Sequence, residues 1–309
     1  MNPSQTKSAW LLAVLLCLTS PGRGQEVEAR LAAKAPQSDR DVVPGVRLIG
    51  RIDNSRITES SGVVASRKYP GVFWTHNDGG GARRQVLFAM TREGHHLGAF
   101  AVRDVVIGDW EDIAIDDDGH LYIGDIGNND GVRREIAVHQ IDEPDPKAGA
   151  TVLRLKQTWR LSFPGKPFDS ETLLIWRGRG FVVSKVTDDA PAQIFSFPLQ
   201  ATNQPIPLEL LTTTRIESPV AGGDISPDGR LLALVAKSGA FIYRIDGDVA
   251  KAGKRKPHQI RFKHTSIEGC TFVPEGLLAT AESREIFLFT DPVFRAAPPP
   301  PKAKALKDD

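Results

Sequence analysis

The sequence predicts an all-β fold, a single β-propeller of five four-stranded blades, from three observations. Short segments rich in β-branched and aromatic residues recur along the chain and are separated by Gly, Pro, Asp and Asn. These segments form groups of four that return about every 40 to 60 residues, as propeller blades do. No long stretch has the 3.6-residue apolar period of an amphipathic helix.

The first and third strands of each repeat carry the clearest signal. Aligned on one polar residue per first strand, the repeats lie 50, 60, 53 and 44 residues apart. The aligned residues are Ser61, Glu111, Glu171, Asp224 and Glu268. The third strands read VLFAM at Val86, EIAVHQI at Glu135, QIFSFPL at Gln193, AFIYRI at Ala240 and EIFLFT at Glu285.

The fifth repeat lacks a fourth strand, because the chain turns to proline after Phe294. The segment GVRLIGRID, residues 45–53, precedes the first repeat and has no other place in it. We expect it to complete the last blade, since this closes the ring and removes two exposed sheet edges. A sixth blade remains an alternative if the long connection 141–162 contains additional strands.

Composition indicates a globular protein that is soluble and needs no strongly charged partner. Of 309 residues, 40% are hydrophobic and 25% are charged, and the formal net charge is +1. We therefore expect no nucleic-acid partner. We also expect a monomer. Cys17 and Cys270 are the two cysteines, so removal of an N-terminal leader leaves no intrachain disulfide.

Residues 1–24 are predicted to be a signal peptide, which implies a secreted or periplasmic protein. The apolar run Ala9–Leu18 is too short to span a bilayer, and Gly22 and Gly24 provide small residues for cleavage. An uncleaved anchor is the alternative, and lipid attachment at Cys17 is a weaker one. No later segment is long and apolar enough to cross a membrane.

The remaining chain divides into three parts. Residues 25–44 are polar and Ala-rich, and we expect a flexible lead-in. Residues 45–294 are the predicted propeller. Residues 295–309 contain a proline run followed by charges, and we expect an extended, disordered tail.

The first strands of a propeller line its central channel, so the repeat predicts a metal site at the channel mouth. Several carboxylates on one narrow axis repel each other unless some are protonated or a cation lies between them. Oxygen ligands of this kind suit Ca²⁺. Alternatively, some of the acids cap backbone amides. The predicted ligands are Ser61, Glu111, Glu171, Asp224 (or the carbonyl of Gly223) and Glu268.

The turns between second and third strands emerge at the same face, and each contains a cation. A cationic rim around a metal suits a small anion such as a phosphate or carboxylate, although cations also flank turns in ordinary soluble β proteins. The predicted ligand-binding residues are His76, Asn77, Arg84, Asn128, Arg133, Lys185, Lys237 and Arg284.

Several short motifs resemble the calcium-activated nucleotidase (apyrase) family. They are S-S-G at Ser60, W-E-D-I-A at Trp110, L-Y-I-G-D-I-G at Leu121, S-E-T at Ser170, A-K-S-G at Ala236 and E-G-C-T-F at Glu268. The resemblance implies a five-bladed propeller with Ca²⁺ on its axis, held by Ser61, Glu111, Glu171 and Glu268. The family's fourth-blade serine has no counterpart, since this chain has Gly222, Gly223 and Asp224 there. The chain also resembles, more loosely, secreted phytase-like propellers.

Two functions fit these patterns. The first is a ligand-binding or scaffold propeller with an axial Ca²⁺ and an anion-binding mouth. The alternative is a Ca²⁺-dependent hydrolase of phosphate esters or anhydrides, with Asp78 or Asp125 as the base and Arg84, Arg133 and Lys185 stabilising charge. We favour the binding protein, because the sequence contains no recognisable nucleophile or complete nucleotide clamp.

Overall fold

The computed structural model describes residues 39–81, 85–105, 108–149, 151–186, 190–216 and 218–295. The predicted signal peptide, most of the lead-in and the C-terminal tail from residue 296 lie outside this range. Within it, no helix has the length and apolar character needed to cross a membrane.

The first two blades are antiparallel sheets of four consecutive main strands. Blade 1 consists of β3 (Ser60–Ala65), β4 (Val72–Asn77), β5 (Val86–Thr91) and β6 (His96–Arg103). Blade 2 consists of β7 (Trp110–Ile115), β8 (His120–Asp125), β9 (Glu135–Asp142) and β11 (Gln157–Ser162).

Blades 3 and 4 repeat this order. Blade 3 consists of β12 (Ser170–Trp176), β13 (Arg179–Ser184), β14 (Ala192–Pro198) and β16 (Glu209–Thr214). Blade 4 consists of β17 (Val220–Ile225), β18 (Leu231–Ala236), β19 (Gly239–Arg244) and β20 (His258–Arg261). Two 3₁₀ helices cover Val249–Lys254 and Pro292–Phe294.

Blade 5 joins the two ends of the chain. It consists of β21 (Ile267–Val273), β22 (Gly276–Ala281), β23 (Glu285–Phe289) and the N-terminal strand β2 (Val46–Arg51). Strand β2 pairs antiparallel with β23, with Val46 opposite Phe289 and Arg51 opposite Glu285. The predicted closure is confirmed: β2 covers an edge of β23 whose amides and carbonyls would otherwise be open.

Three short strands extend the blades at their outer edges. Strand β10 (Val152–Arg154) adds to β6 of blade 1 in parallel, and β15 (Ile206–Pro207) adds to β11 of blade 2. The connection 141–162 therefore supplies an outer strand rather than a sixth blade, and the prediction of five blades is confirmed. Strand β1 (Arg40–Val43) pairs with β2, which corrects the flexible lead-in prediction for these four residues.

The apolar core lies in layers between neighbouring blades, because the inner strands are buried on both faces. Between blades 1 and 2, Trp74 and Trp110 are fully buried together with Phe100 and Ile123. Burial of one such large side chain contributes about 1.5–3 kcal/mol. Five such layers hold the first strands in a fixed circle, which positions their polar ends.

Candidate functional site

The pairing of first and second strands shifts register near the start of every first strand. Such a bulge leaves one residue without a ladder partner and redirects its side chain. The residues at these bulges are Ser61, Glu111, Glu171, Ala221 and Glu268. Four of the five predicted metal ligands thus occupy equivalent positions at one end of the propeller, which we call the channel mouth.

Asp224 does not belong to this group, and its placement at the mouth was wrong. The fourth-blade bulge is at Ala221, while Asp224 lies three residues further along β17, opposite Ala233. Its carboxylate accepts hydrogen bonds from the amides of Ile225 (2.7 Å) and Phe272 (2.8 Å). Likewise, Gly223 pairs opposite Leu234, inside the ladder. Alignment by acidic residues shifted the repeat by three positions, because blade 4 has alanine where three blades have glutamate.

Three carboxylates converge at one side of the mouth, beside blade 2. Oxygens of Asp78, Asp109 and Glu111 all lie within 4.8 Å of one another. Glu111 is 3% exposed, and burial, followed by the charges of Asp78 and Glu171, raises its pKa to about 11. Burial and Asp78 also raise the pKa of Asp109. In this group, the mouth triad, burial and the neighbouring carboxylates disfavour the ionised forms of Glu111 and Asp109.

Gly127 makes the close packing of this triad possible. A Cβ atom at this position would lie 2.1 Å from Oε1 of Glu111 and 2.4 Å from Oδ2 of Asp109. The loop after β8 therefore passes directly over the two carboxylates. Its amide also donates to the carbonyl of Asp109 at 3.2 Å, which fixes the loop at this distance.

The other side of the mouth contains Glu171 and Glu268. Lys185 forms an ion pair with Glu171 and lies 4.0 Å from Asp169. Burial raises the pKa of Glu171 to about 7, although Lys185 acts against this rise. Burial, followed by the charge of Glu171, raises the pKa of Glu268 to about 8. Lys185 thus neutralises part of the acidic charge that the sequence assigned to a metal.

Ser61 also lies at the mouth, but its hydroxyl is already in use. It donates a hydrogen bond to the main-chain carbonyl of Glu111 and joins blade 1 to blade 2. Its hydroxyl oxygen retains lone pairs for a further contact.

Asp125, a candidate base, is a buried structural residue. Its carboxylate accepts hydrogen bonds from the amides of Gly108 (2.9 Å) and Asp109 (2.6 Å) and pairs with Arg133 at 2.9 Å. Burial acts to raise its pKa, but His139, the two amides and Arg133 together lower it. Asp125 therefore holds the loop that carries Asp109, and it is poorly suited to take a proton.

His76 is buried completely, and burial lowers its pKa to about 4. Its Nδ1 lies 2.9 Å from the carbonyl of Asn77, and its ring packs edge-on against Trp110. The Asn77 side chain accepts from the amides of Thr58 and Glu59. Both predicted ligand-binding residues thus shape blade 1 beneath the mouth.

The remaining rim residues are placed in different ways. Asn128 accepts from the amide of Arg133 at 2.9 Å, so both organise the turn between β8 and β9. Lys237 is exposed and Arg284 is half-buried in a turn with a φ of 73°. Arg84 lies outside the described residues.

The sequence analysis missed Asp109, Gly127 and Asp169. A signal was present: D-W-E at 109–111 and D-S-E at 169–171 place an acid two residues before each of two bulge glutamates. Asp169 accepts from the amides of Asn128 (2.8 Å) and Ser170 (3.0 Å) and so supports the loops. Gly127 could not be identified without the loop path.

No family model matches this chain, and no curated protein matches it. Among solved structures it is similar to a nidogen/laminin complex, with 13% identity over 72% of each chain and a TM-score of 0.45. It is also similar to XC5397, a gluconolactonase from Xanthomonas campestris, with 11% identity, 83% of this chain and 95% of that chain covered, and a TM-score of 0.43. A hydrazine synthase from Kuenenia stuttgartiensis gives 11% identity, 75% and 71% coverage, and a TM-score of 0.43. Likeness at this level carries no information about the chemistry of the mouth.

Proposed function

We propose that the channel mouth binds Ca²⁺ and that the protein is a metal-dependent binding protein for a small anion, a phosphate or a carboxylate. The observation that carries this proposal is the mouth triad, three carboxylates within 4.8 Å of one another. Carboxylates this close cannot all be ionised unless a cation lies between them. Without a metal, the pKa of Glu111 is raised to about 11, because burial and the neighbouring carboxylates disfavour its ionised form.

The chemistry of the triad suits a hard divalent cation. All three ligands offer oxygen, and Ca²⁺ prefers oxygen and accepts carboxylates in flexible geometry. Two of the three side chains, Asp78 and Asp109, stand on loops, which can adjust to the ion. A secreted or periplasmic location, which the leader predicts, would expose the site to extracellular Ca²⁺.

Three protein ligands leave room for a further ligand on the metal. Ca²⁺ takes about six to eight oxygens, so water or the oxygens of an anion complete its shell. When bound, the ion supplies the positive charge that an anionic ligand needs. Lys185 and Lys237, which act on the charges of Glu171 and Glu268, add to that field.

A binding role is favoured over hydrolysis because neither of the two predicted bases is free to accept a proton. Asp125 accepts several hydrogen bonds and has a lowered pKa, and Asp78 is occupied as a member of the triad. The open coordination positions nevertheless support a second candidate, a Ca²⁺-dependent hydrolase of phosphate esters or anhydrides, since a metal ion lowers the pKa of bound water.

Thermal unfolding of the purified full chain tests the metal. Saturating Ca²⁺ at 100 times Kd stabilises a protein by about 2.7 kcal/mol, which for this size corresponds to a rise in Tm of about 5–10 °C. We expect this rise in the wild type, its absence with EDTA, and its loss in Glu111→Gln and Asp109→Asn.

Glu111→Gln also provides an internal check. Without metal, Glu111 must take up a proton when the chain folds at neutral pH, because its pKa is raised to about 11. Gln needs no proton, so the metal-free variant melts above the metal-free wild type. Glu209→Gln, on the outer strand of blade 3 with a side chain that is 73% exposed, is the matched control and keeps the full Ca²⁺ response. Equal Tm with Ca²⁺ and with EDTA in the wild type contradicts the proposal.

The ligand and the reaction are tested with the same preparations. Calorimetric titration with inorganic phosphate and with acetate, with and without Ca²⁺, is expected to show binding only with Ca²⁺. Release of phosphate from p-nitrophenyl phosphate or ATP, lost with EDTA and in Glu111→Gln, would instead establish the hydrolase. If the chain with bound Ca²⁺ shows neither anion binding nor hydrolysis, the anion-binding role is refuted.

A further inference from the structure

A cavity of about 740 Å³ opens at the end of the propeller opposite the mouth. This far face is formed by the turns that join each first strand to its second strand. Turns of blades 1, 4 and 5 and the C-terminal 3₁₀ helix enclose the cavity, which we call the far-face cavity. Small-molecule sites usually measure about 300–1,000 Å³, so its size fits a small organic ligand.

One part of the far-face cavity is apolar. Phe73 and Phe272 contribute buried rings, and Phe294 of the 3₁₀ helix packs edge-on against Phe272 at a centroid distance of 6.1 Å. Pro70 and Pro274 add rigid apolar surface. Aromatic and proline walls of this kind hold an apolar body without large losses of side-chain entropy.

Another part is basic, with Arg67, Arg92 and Arg230 in the lining. Arg230 is paired with Asp228 in its own turn. The Nε atoms of Arg67 and Arg92 are buried, and neither has a hydrogen-bond acceptor among the described residues. These nitrogens have almost no accessible surface, so a ligand in the cavity would meet the outer guanidinium nitrogens instead. The side chain of Arg92 is 28% exposed, and its outer nitrogen lies 3.6 Å from the carboxylate of Glu93.

A second cavity of about 380 Å³ adjoins the first and shares Arg67. Its lining is acidic, since it includes Asp116, Asp117 and Asp118. Asp224 also lines it, close enough to Arg67 for the guanidinium to act against the rise in the Asp224 pKa that burial causes. The smaller cavity is therefore the less favourable of the two for an anion.

We propose that the far-face cavity binds an organic anion with an apolar body, whose acidic group accepts hydrogen bonds from Arg67 and Arg92 and whose body packs against Phe272 and Phe294. Guanidinium groups bind carboxylates, sulfonates and phosphates through several parallel N–H donors. The mouth triad does not line this cavity, so the site is independent of the proposed Ca²⁺ function.

A pair of fluorescent probes separates the charged contribution from the apolar one. 8-Anilinonaphthalene-1-sulfonate carries an anionic group on an apolar body, and N-phenyl-1-naphthylamine is the same ring system without the sulfonate. Titration of the full chain, with circular dichroism to verify the fold of each variant, gives Kd and stoichiometry for both probes. We expect one sulfonate probe per chain, bound about tenfold or more tightly than the neutral probe, which corresponds to at least about 1.4 kcal/mol.

Three variants locate the site. Arg92→Met keeps the length of the side chain but removes its charge, and it is expected to weaken the anionic probe alone by about tenfold. Phe294→Ala is expected to weaken both probes to a similar degree. Arg154→Met, whose side chain is 77% exposed and outside the cavity, is the matched control and binds both probes as the wild type does.

Arg67→Met applies the same test to the second arginine. Asp224 loses a neighbouring cation in this variant, so circular dichroism is used first to verify its fold. Absence of saturable binding of the anionic probe in the wild type overturns the inference. Equal affinity in the wild type, Arg92→Met and Arg154→Met overturns it as well, because the arginines would then not contact the acidic group.

Discussion

The mouth and the far-face cavity present opposite chemistry, although the same five first strands connect the two ends of the propeller. At the mouth, the strands begin with bulges that bring carboxylates together, and burial raises the pKa of Glu111, Glu171 and Glu268. At the far face, the strands end in turns whose arginines have buried donors without described acceptors. The mouth is therefore suited to a metal ion, through which the proposed anion binds, whereas the arginines of the far-face cavity suit a direct contact with an anion.

This difference shows how a closed ring separates two sites. Two aspartates join neighbouring first strands between the ends. Asp112 accepts from the amides of Ile113 and Leu173, each at 2.8 Å, and so ties blade 2 to blade 3. Asp224 ties blade 4 to blade 5 through Phe272. Neither aspartate belongs to the mouth triad or to the lining of the far-face cavity, so the two ends can differ while the blades stay joined.

Removing one of these aspartates should have the largest effect, a loss in the free energy of unfolding. Asp112→Ala leaves two buried amides without an acceptor, and each costs about 1–3 kcal/mol. We expect a loss of about 3 kcal/mol or more in the free energy of unfolding, measured with urea. Asp224→Ala should lose a similar amount, whereas Asp112→Asn, which retains an acceptor, should lose less. If Asp112→Ala is as stable as the wild type, the hydrogen bonds that Asp112 accepts contribute nothing to stability.

A change confined to the mouth should have the next largest effect. In Gly127→Ala, the new methyl group meets the carboxylates of Glu111 and Asp109. We expect the Ca²⁺-dependent rise in Tm to disappear while binding of the anionic probe at the far face persists. Gly165→Ala, where a Cβ meets nothing within 4 Å, is the control. A normal Ca²⁺ response in Gly127→Ala would place the metal elsewhere.

Lys185→Met should strengthen Ca²⁺ binding at the mouth rather than abolish it. The variant removes a cation that interacts with Glu171, Asp169 and Glu111, so the mouth becomes more negative. We expect Ca²⁺ to bind several-fold more tightly at low salt, measured by calorimetry, with a smaller gain at high salt. Weaker Ca²⁺ binding would mean that Lys185 positions Glu171 for the metal.

The smallest effect is expected when the far-face variant is tested at the mouth. Arg92→Met should leave the Ca²⁺-dependent change in Tm as in the wild type, because the two sites share no residue. A reduced response would show that the mouth and the far-face cavity are coupled along the first strands and are not independent sites.

Parts of the mouth could be predicted from sequence and parts could not. Ser61, Glu111, Glu171 and Glu268 were found because each stands at the same point of a repeated strand. Asp224 was misplaced, because counting acids cannot reveal that the fourth bulge carries Ala221. Asp125 and Lys185 were predicted at the rim of the mouth, but their hydrogen-bond and ion-pair partners follow from loop paths that no local pattern specifies.

The sequence by itself determined the strands, the five blades and the closure by β2, since side-chain alternation and unpaired edges are local properties of the chain. Only the tertiary structure decided which acids share a site, because Asp78, Asp109 and Glu111 come from loops and a bulge of two blades. It also decided the far-face cavity, whose walls come from residues more than 200 positions apart in the chain, such as Arg67 and Phe272. Charges and cavities depend on distances in space, and those are set only when the ring closes.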